Sequence, residues 1–518
     1  MSYEKNGNEV VGFVKLTSRL RSPVVLLTLI GIAGLTIRLY YFPYNIPLTL
    51  DALLYFWFAT DVSTLGYIPP SYSFPNNFWP IIVSGVFSII KFTAWTDYMD
   101  LQRMLTVAIS LITIIPLYFL LKKFVEYQYA LIGVTLFILD PRVIQNSLSG
   151  LTDPLFVFLG TITLALFLNK KKWLVYASFA TLGLFSLTRY EGLLLFIPLT
   201  IMFLVRFRRD KVLVKYAIAF TIFILVLTPL AYIRVQTTGN DGLISHVIAG
   251  TEVATEDIVP DSTTNKFSIV KGLEIFVRLG AWSSFPTYFL FVIPGIYLLF
   301  RNGNYEKHLI ILASAAFLLP ALYASSRSIE ETRYFLMISI VFNIAAVLTI
   351  SKIIERFGHK KSIFFVVILF AITASAIFLY WKTDNQHERD SVRIAEEVIK
   401  RTAVINDYHP ESIYLRTVGF NEHQDFAGKK AEIQDRVVTL FTSEYLTLEE
   451  FLAYGKSQGL QYLIVDNQEN RPTFLIDVFN NESKYPYLTK DFDSANAGLD
   501  YHVKIFKINY NLMGLEAN

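Results

Sequence analysis

The 518-residue chain contains no cysteine, which excludes thiol nucleophiles, disulfide bonds and cysteine-ligated metal sites. Charged residues are scarce as well, because they make up 17% of the chain, below the quarter that is usual for a soluble domain. No glycine-rich loop follows a predicted strand, which argues against nucleotide binding. The formal net charge of +3 is too small to indicate a nucleic-acid partner, and no internal repeat is visible.

Apolar residues are abundant instead, at 53% of the chain, and the mean hydropathy is +0.44. Because apolar runs of nearly membrane-spanning length recur, we predict a multispan α-helical membrane bundle of about 11 transmembrane helices. No small-residue cleavage site follows the first run, so we expect it to be a retained signal anchor. The predicted spans are 23–42, 104–121, 129–146, 154–168, 173–188, 191–206, 213–233, 284–300, 308–325, 332–350 and 362–381.

Basic residues fall at one end of this predicted bundle, as the positive-inside rule requires of cytoplasmic loops. We therefore expect a multi-pass plasma-membrane protein of a prokaryotic cell, with a cytoplasmic N-terminus and the residues after 382 outside. The basic segments are Lys15, Arg19 and Arg21; Lys122 and Lys123; Lys170 to Lys172; Arg206, Arg208, Arg209, Lys211 and Lys215; Arg301 and Lys307; and Lys352, Arg356, Lys360 and Lys361.

One apolar run, 78–90, must not span if this orientation holds. Aromatic residues and prolines surround it, as is typical of a helix at the membrane interface. We therefore predict an interfacial helix within the first outer loop.

The region after residue 382 has a soluble character. Short β-type runs at 412–415, 436–441, 462–466 and 503–508 alternate with helical patterns at 387–401 and 448–457. This alternation predicts a small soluble α/β domain. The predicted organisation is a transmembrane catalytic domain at 1–382 and an extracytoplasmic domain at 383–518.

Two acidic residues on the outer side are the first candidates for chemistry. Asp51 follows the first span among aromatics and prolines, and ionised groups near hydrocarbon tend to mark function. It could act as a general base or orient an acceptor hydroxyl, or it could simply cap the helix that begins at Ala52. Asp153 ends the segment Ser149-Gly150-Leu151-Thr152-Asp153, where it could share a site with Asp51 or only begin the next span.

Two arginine-containing segments supply candidate phosphate ligands, because the guanidinium fork matches phosphate oxygens. Arg189 and Glu191 occupy a tight outer turn, which an ordinary ion pair between them could equally explain. Arg327 and Arg333 lie in a charged outer segment, and Arg333 begins a span together with Tyr334. The alternative there is a solvated helix start with acidic residues in its first turn.

The order and common side of these motifs resemble the GT-C glycosyltransferases. The resemblance covers the membrane part and rests on Asp51, the interfacial segment, the Ser-Gly-x-x-Asp segment ending at Asp153, the Thr-Arg-x-Glu-Gly turn (188–192) and the Arg-Tyr pair at Arg333. The chain resembles both protein mannosyltransferases and oligosaccharyltransferase catalytic subunits. It lacks the Trp-Trp-Asp motif of the latter, since its last tryptophan is Trp381, and the Asp-Glu pair of the former, since Ala52 follows Asp51.

The resemblance implies a hexosyltransferase that moves a sugar from a polyprenyl (dolichyl-type) phosphate carrier to a protein, lipid or glycan acceptor on the outer face. Asp51 would be the base of an inverting transfer, with Asp153 beside it. The donor phosphate would be bound by Arg333, Arg189 and Arg327, with Glu191 and Tyr334 supporting them. The enzyme would work among membrane lipids and would not require a metal.

Three alternatives remain open at this point. The first is an oligosaccharyltransferase-like enzyme that uses a lipid pyrophosphate and a divalent metal (Mg or Mn) held by Asp51 and Asp153. The second is a flippase or transporter of lipid-linked sugars without enzymatic activity. Transporters usually show internal repeats and paired broken helices, and the sequence shows neither. The third is a structural protein that presents the C-terminal domain, which leaves the Asp51 loop unexplained.

Overall fold

A computed structural model of the protein describes residues 22–513, apart from 49, 71, 73, 93–94, 250–267, 302, 359, 383–384, 403–444, 458 and 469–470. Before residue 383 the described chain is almost entirely helical. Its helices are α1 Pro23–Tyr40, α2 Leu50–Leu65, α3 Phe78–Ile89, α4 Trp95–Ile112, α5 Ile114–Leu121, α6 Tyr127–Ile138, α7 Pro141–Ser147, α8 Asp153–Phe167, α9 Lys172–Thr188, α10 Phe196–Phe207, α11 Val212–Thr238, α12 Ile269–Ser284, α13 Phe289–Phe300, α14 Tyr305–Ser326, α15 Ser339–Phe357 and α16 Lys360–Lys382. Two 3₁₀ segments, Tyr190–Leu195 and Thr332–Ile338, lead into α10 and α15.

The apolar helices make this a membrane protein. Among the described residues, six helices are long and apolar enough to cross a bilayer, and a seventh crossing results if the bent pair α12–α13 counts as one span. Shorter apolar helices, such as α6 and α8, accompany them. Each span predicted from sequence corresponds to an apolar helix or pair of helices, while the number of crossings stays a prediction.

The predicted span 129–146 is two helices, α6 and α7, because residues 140 and 141 interrupt it. Asp140 Oδ1 accepts hydrogen bonds from the backbone N–H groups of Arg142 (3.0 Å) and Val143 (3.1 Å), and Pro141 occupies the first turn of α7. Asp140 is therefore the N-cap of α7. A similar interruption separates α12 from α13, whose axes differ by 108°.

The predicted interfacial segment is α3, a helix of 12 residues. At 1.5 Å per residue it is about 18 Å long, too short for a hydrocarbon core of about 30 Å. It packs on α2, where Phe87 meets Phe56 edge-on with ring centroids 5.7 Å apart. Trp79 of α3 is fully buried. The depth of α3 in a membrane stays a prediction.

Basic loops and acidic candidates lie at opposite ends of the bundle. Lys123 is close enough to Lys170, Arg206 and Glu306 for their charges to interact. Helix α9 starts beside this basic end, with Lys172 contacting Asp210 at 3.5 Å, and it ends at Thr188, just before Arg189 and the acidic candidates. The two ends therefore differ as the sequence predicts, while their orientation in the cell stays a prediction.

After residue 384 the described elements are α17 Gln386–Thr402, α18 Leu448–Ser457, β1 Tyr462–Asp466, α19 Thr473–Asn480, β2 Leu488–Asp493 and β3 Val503–Ile508. The strands form an antiparallel sheet in the order β1-β3-β2. Helix α17 is joined to this sheet region because Asp390 accepts backbone hydrogen bonds from Asp500 (2.8 Å) and Tyr501 (3.1 Å). The strands predicted at 412–415 and 436–441 lie outside the described residues, and the independence of this region as a domain stays a prediction.

Candidate active site

Asp51 and Arg333 form an ion pair, although 282 residues separate them in sequence. Asp51 lies in the first turn of α2, and Arg333 lies in the 3₁₀ segment that leads into α15. Arg333 Nη1 donates to Asp51 Oδ2 at 2.5 Å, and Arg333 Nε lies 2.7 Å from Glu331 Oε2 without the alignment of a hydrogen bond. The Asp51 side chain is 39% exposed, so the pair is open to a ligand.

Asp153 and Arg189 form a second, more deeply buried network. Arg189 Nη1 donates to Asp153 Oδ1 at 2.7 Å, and Nη2 donates to Glu191 Oε1 at 2.9 Å. Burial alone would lower the pKa of Arg189, but Glu191 and Asp153 together raise it well above its ordinary value. The second carboxylate oxygens, Asp153 Oδ2 and Glu191 Oε2, are buried and accept no hydrogen bond from the described residues.

The two networks meet at Tyr334. The guanidinium carbons of Arg189 and Arg333 each lie 5.6 Å from the centre of its ring, within cation–π distance. A cleft between them, here called the inner cleft, is lined by Asp153, Phe156, Val157, Arg189, Glu191, Ala316, Phe317, Pro320, Arg333, Tyr334, Leu336 and Met337. Five of the seven site residues predicted from sequence therefore line one cleft. Asp51 contacts this group through its ion pair with Arg333.

Arg327 does not join this group. It follows the last turn of α14, it does not line the inner cleft, and its side chain makes no hydrogen bond or ion pair with the described residues. Its predicted role in phosphate binding stays a prediction.

Tyr55 is a further member of the site that the sequence did not single out. It lies one helical turn after Asp51, is buried, and is near enough to Arg189 and Asp153 for electrostatic interaction. Burial raises the pKa of Tyr55 to about 12, so its hydroxyl stays protonated near neutral pH. The spacing of four residues from Asp51 on a predicted helix was the signal that could have identified it.

A second cavity, here called the outer cavity, also has Arg333 in its lining. It has a volume of about 370 Å³ and is lined by Asp140, Arg142, Gln145, Asn146, Ser149, Leu151, Ser283, Glu330, Glu331, Thr332, Arg333, Phe335, Leu336 and Ser339. Arg333 therefore lines both the inner cleft and the outer cavity. Such a position suits a cation that contacts two parts of a bound substrate.

The charge of the paired groups is unbalanced. Asp51, Glu331, Asp153 and Glu191 contact two guanidinium groups, which leaves two negative charges if all six groups are ionised. In the part of the chain that the structure describes, no three His, Asp or Glu side chains converge as metal ligands. One oxygen of each of Asp153, Glu191 and Asp51 is bound by Arg189 or Arg333, and the second oxygens of Asp153 and Glu191 accept no hydrogen bond from the described residues, so a divalent metal would have to bind through those second oxygens.

The fold is that of the GT-C glycosyltransferases. ArnT from Cupriavidus metallidurans bound to undecaprenyl phosphate matches with a TM-score of 0.59 and 11% identity, over 93% of this chain and 97% of that chain. The oligosaccharyltransferase AglB from Archaeoglobus fulgidus, in complex with an inhibitory peptide and a dolichol-phosphate, gives a TM-score of 0.57 and 13% identity, over 95% and 74%. A second structure of the Archaeoglobus fulgidus enzyme, with Zn and sulfate, gives a TM-score of 0.58 and 13% identity, over 93% and 73%.

At these identities the likeness establishes the shared fold. Neither the protein-family models nor the curated proteins give a match to this sequence. The resemblance inferred from Asp51, Asp153, Arg189 and Arg333 is therefore confirmed at the level of the GT-C fold. The sugar, the acceptor and the role of each residue belong to the proposal that follows.

Proposed function

We propose that the protein is an inverting hexosyltransferase that moves a sugar from a polyprenyl-phosphate carrier to a protein, lipid or glycan acceptor. The observation that carries this proposal is the Asp51–Arg333 contact, which joins a candidate base to a candidate phosphate ligand in a GT-C fold. Solved structures of this fold hold dolichol-phosphate and undecaprenyl phosphate. The predicted outer location of Asp51 then makes this an outer-face reaction.

Asp51 is proposed to take the acceptor proton. Its Oδ2 is held by Arg333, while Oδ1 accepts no hydrogen bond from the described residues and remains available to an acceptor hydroxyl. The proton passes to Oδ1, and the acceptor oxygen forms a bond to the anomeric carbon on the face opposite the phosphate. The bond between that carbon and the phosphate oxygen breaks, and its electron pair stays on the carrier phosphate.

Arg333 is proposed to stabilise the negative charge that develops on this leaving group. Its Nη2 donates no hydrogen bond to a described residue, so a phosphate oxygen can take it while Nη1 still orients Asp51. Arg189 is proposed to act mainly on Asp153 and Glu191, because both of its terminal nitrogens are engaged. A phosphate in the inner cleft would otherwise meet an excess of carboxylates.

The carrier is proposed to approach over an aromatic groove beside the outer cavity. Arg278, Leu279, Ala281, Trp282, Phe285, Phe289 and Glu330 line this groove of about 560 Å³, and Glu330 also lines the outer cavity. The aromatic side chains suit an isoprenoid chain. Arg278 is held by the single carboxylate of Glu330 at 2.6 Å, and both side chains are half-exposed, so a phosphate can displace Glu330 readily.

The experiment that tests the proposal is transfer by the purified protein from a panel of lipid-linked sugars. Polyprenyl-monophosphate hexoses should serve as donors without added metal, and the product should have the opposite anomeric configuration to the donor. Transfer from a polyprenyl-pyrophosphate donor that a chelator abolishes would favour the metal-dependent alternative, which the excess of negative charge and the Zn-containing neighbour support. Movement of donor across vesicles without any transfer would favour a flippase.

A further inference from the structure

One turn of α4 contacts the start of α2, which carries Asp51, and the segment just before α8, which begins at Asp153. Gln102 is fully buried, and its side-chain Nε2 donates two hydrogen bonds, to Ala52 O at 3.0 Å and to Gly150 O at 2.8 Å. Ala52 directly follows Asp51, and Gly150 precedes Asp153 by three residues. A single amide group therefore connects the start of α2 to the segment before α8.

The identity of this side chain is chemically determined by its two partners. Both partners are carbonyl oxygens, so the atom between them must supply two N–H donors, which the amide nitrogen of glutamine does without adding charge. A glutamate of the same size would face two carbonyls with acceptors. A methionine of similar length would donate nothing.

The backbone conformation and close surroundings of Gly150 favour glycine at this contact. Its φ of +71° lies in the left-handed region, and a Cβ there would come within 2.9 Å of Leu48 Cδ2 and 3.4 Å of Gln102 Nε2. Its carbonyl also accepts a hydrogen bond from Trp79 Nε1 at 3.2 Å. The segment that leads to Asp153 is thus held closely by buried donors from α3 and α4.

The next residue of α4 holds the segment that leads to Asp51. Arg103 Nη1 donates to Ile46 O at 2.6 Å and Nη2 donates to Pro47 O at 3.0 Å. Asp100, paired with Arg103 at 3.2 Å, accepts from the backbone N–H of Asn45 at 3.1 Å. These contacts fix the path of the first loop before Asp51.

We propose that Gln102 is a positioning residue, which with Arg103 sets the distance between the start of α2, with Asp51, and the Asp153–Arg189 network. This inference rests on the proposed function of Asp51 as the base. Gln102 does not touch the substrate. It acts through the backbone, since a shift of Asp51 by about 1 Å is enough to lower a transfer rate by roughly 100-fold.

The test is Gln102→Met in the full-length protein, with Gln128→Met, an exposed glutamine of α6, as the control. Donor-binding sites are counted with a radiolabelled polyprenyl-phosphate hexose, and kcat is expressed per site. We expect Gln102→Met to lower kcat by roughly 10- to 100-fold with donor affinity nearly unchanged, and Gln128→Met to change neither. A normal kcat per donor-binding site in Gln102→Met would overturn the proposal.

A second measurement keeps the inference testable if little folded Gln102→Met is recovered. Because the chain has no native cysteine, cysteines introduced at Leu54 of α2 and at Ser149 carry the only two spin labels. Pulsed electron paramagnetic resonance then reports the separation between the start of α2 and the segment before α8. Gln102→Asn, which keeps the uncharged amide but is one methylene shorter, should broaden or shift this distance distribution, while an unchanged distribution contradicts the positioning role. Full activity of Asp51→Asn would instead refute the proposed function, so the two failures are distinguishable.

Discussion

At the scale of single residues, Asp51 gives the most direct test. Asp51→Asn keeps the size of the side chain and can still accept a hydrogen bond from Arg333, but it removes the base. We expect the variant to fold, to bind donor lipid and to lose turnover by at least about 10²-fold. Transfer assays and donor binding on the purified protein check this.

The control is Asp97→Asn, a change to an exposed acidic residue in the first turn of α4. It should leave turnover unchanged. Asp153→Asn should cost less turnover than Asp51→Asn if Asp153 mainly orients Arg189. Equal loss in both variants, together with loss of wild-type activity on chelation, would contradict the metal-free assignment.

Arg333 is tested by two substitutions. Arg333→Ala removes a charge-assisted contact worth about 1.5–3 kcal/mol, so donor affinity should fall roughly 10- to 150-fold. Arg333→Lys should recover part of it, because a lysine cannot hold Asp51 and a phosphate with two separate nitrogens. Arg356→Ala, at the exposed last turn of α15, is the control. Unchanged donor affinity in Arg333→Ala would transfer the phosphate role to Arg278 or Arg327.

The sequence identified these residues by type and side, but it did not determine how they pair. Asp51 and Asp153 could be assigned to one side from the basic loops, and two outer arginine segments could be named beside them. That Arg333 binds Asp51 while Arg189 binds Asp153 depends on which helices pack together across 282 and 36 residues. No local pattern encodes that choice, and a buried Gln102 on an apolar helix carries no distinguishing signal either.

At the scale of elements, the turn between α9 and α10 should be a stability determinant. Arg189→Ala leaves Asp153 and Glu191 as buried carboxylates without their counter-ion, and breaking such a buried pair costs about 3–5 kcal/mol. We expect a larger drop in thermal stability in detergent than Arg333→Ala causes, because the Arg333 pair is more exposed.

A triple variant serves as the control for this prediction. Adding Asp153→Asn and Glu191→Gln to Arg189→Ala removes the uncompensated charges, so part of the lost stability should return. Equal melting temperatures for Arg189→Ala and Arg333→Ala would show that the buried network contributes little to folding.

Helices and strands were predictable from the sequence where their hydrophobic pattern was periodic. The predictions failed where packing determined the structure. Strands β1 and β3 and helices α17 and α18 agree with the sequence predictions. Strand β2 (Leu488–Asp493) was not predicted, because lysine and aspartate disfavour strands. It lies at one edge of the sheet, where charged residues protect against pairing with other chains. The interruption at Pro141 was hidden by the apolar runs on both sides.

At the scale of the whole molecule, orientation in the membrane can be tested by labelling. Because native cysteine is absent, one introduced cysteine gives one label. Exposed positions Asn240 and Asn467 should react with an impermeant maleimide from outside intact cells, and exposed Lys170 should react only after permeabilisation. Labelling of Lys170→Cys from outside would reverse the orientation and contradict an outer-face site.

The C-terminal region is expected to contribute acceptor recognition rather than donor binding. A chain ending at Lys382 keeps all the residues of both ion-pair networks, so donor affinity should persist. Turnover should fall more, because the chain loses Glu388, which lies near enough to Arg103 to interact with its charge. Loss of donor binding from a bundle that still unfolds cooperatively would contradict this division of roles.

The distance between Asp51 and Arg333 along the chain also has a consequence for biosynthesis. At about 5–20 residues per second, a ribosome needs roughly 15–60 s to add the 282 residues between them. Asp153 and Arg189, only 36 residues apart, can meet much earlier. The Asp153 network therefore assembles while the bundle is still being inserted, and the Asp51–Arg333 pair closes among the last contacts. A nascent chain would hold an unpaired Asp51 without its phosphate ligand, so it would not consume the lipid-linked donor before the enzyme is complete.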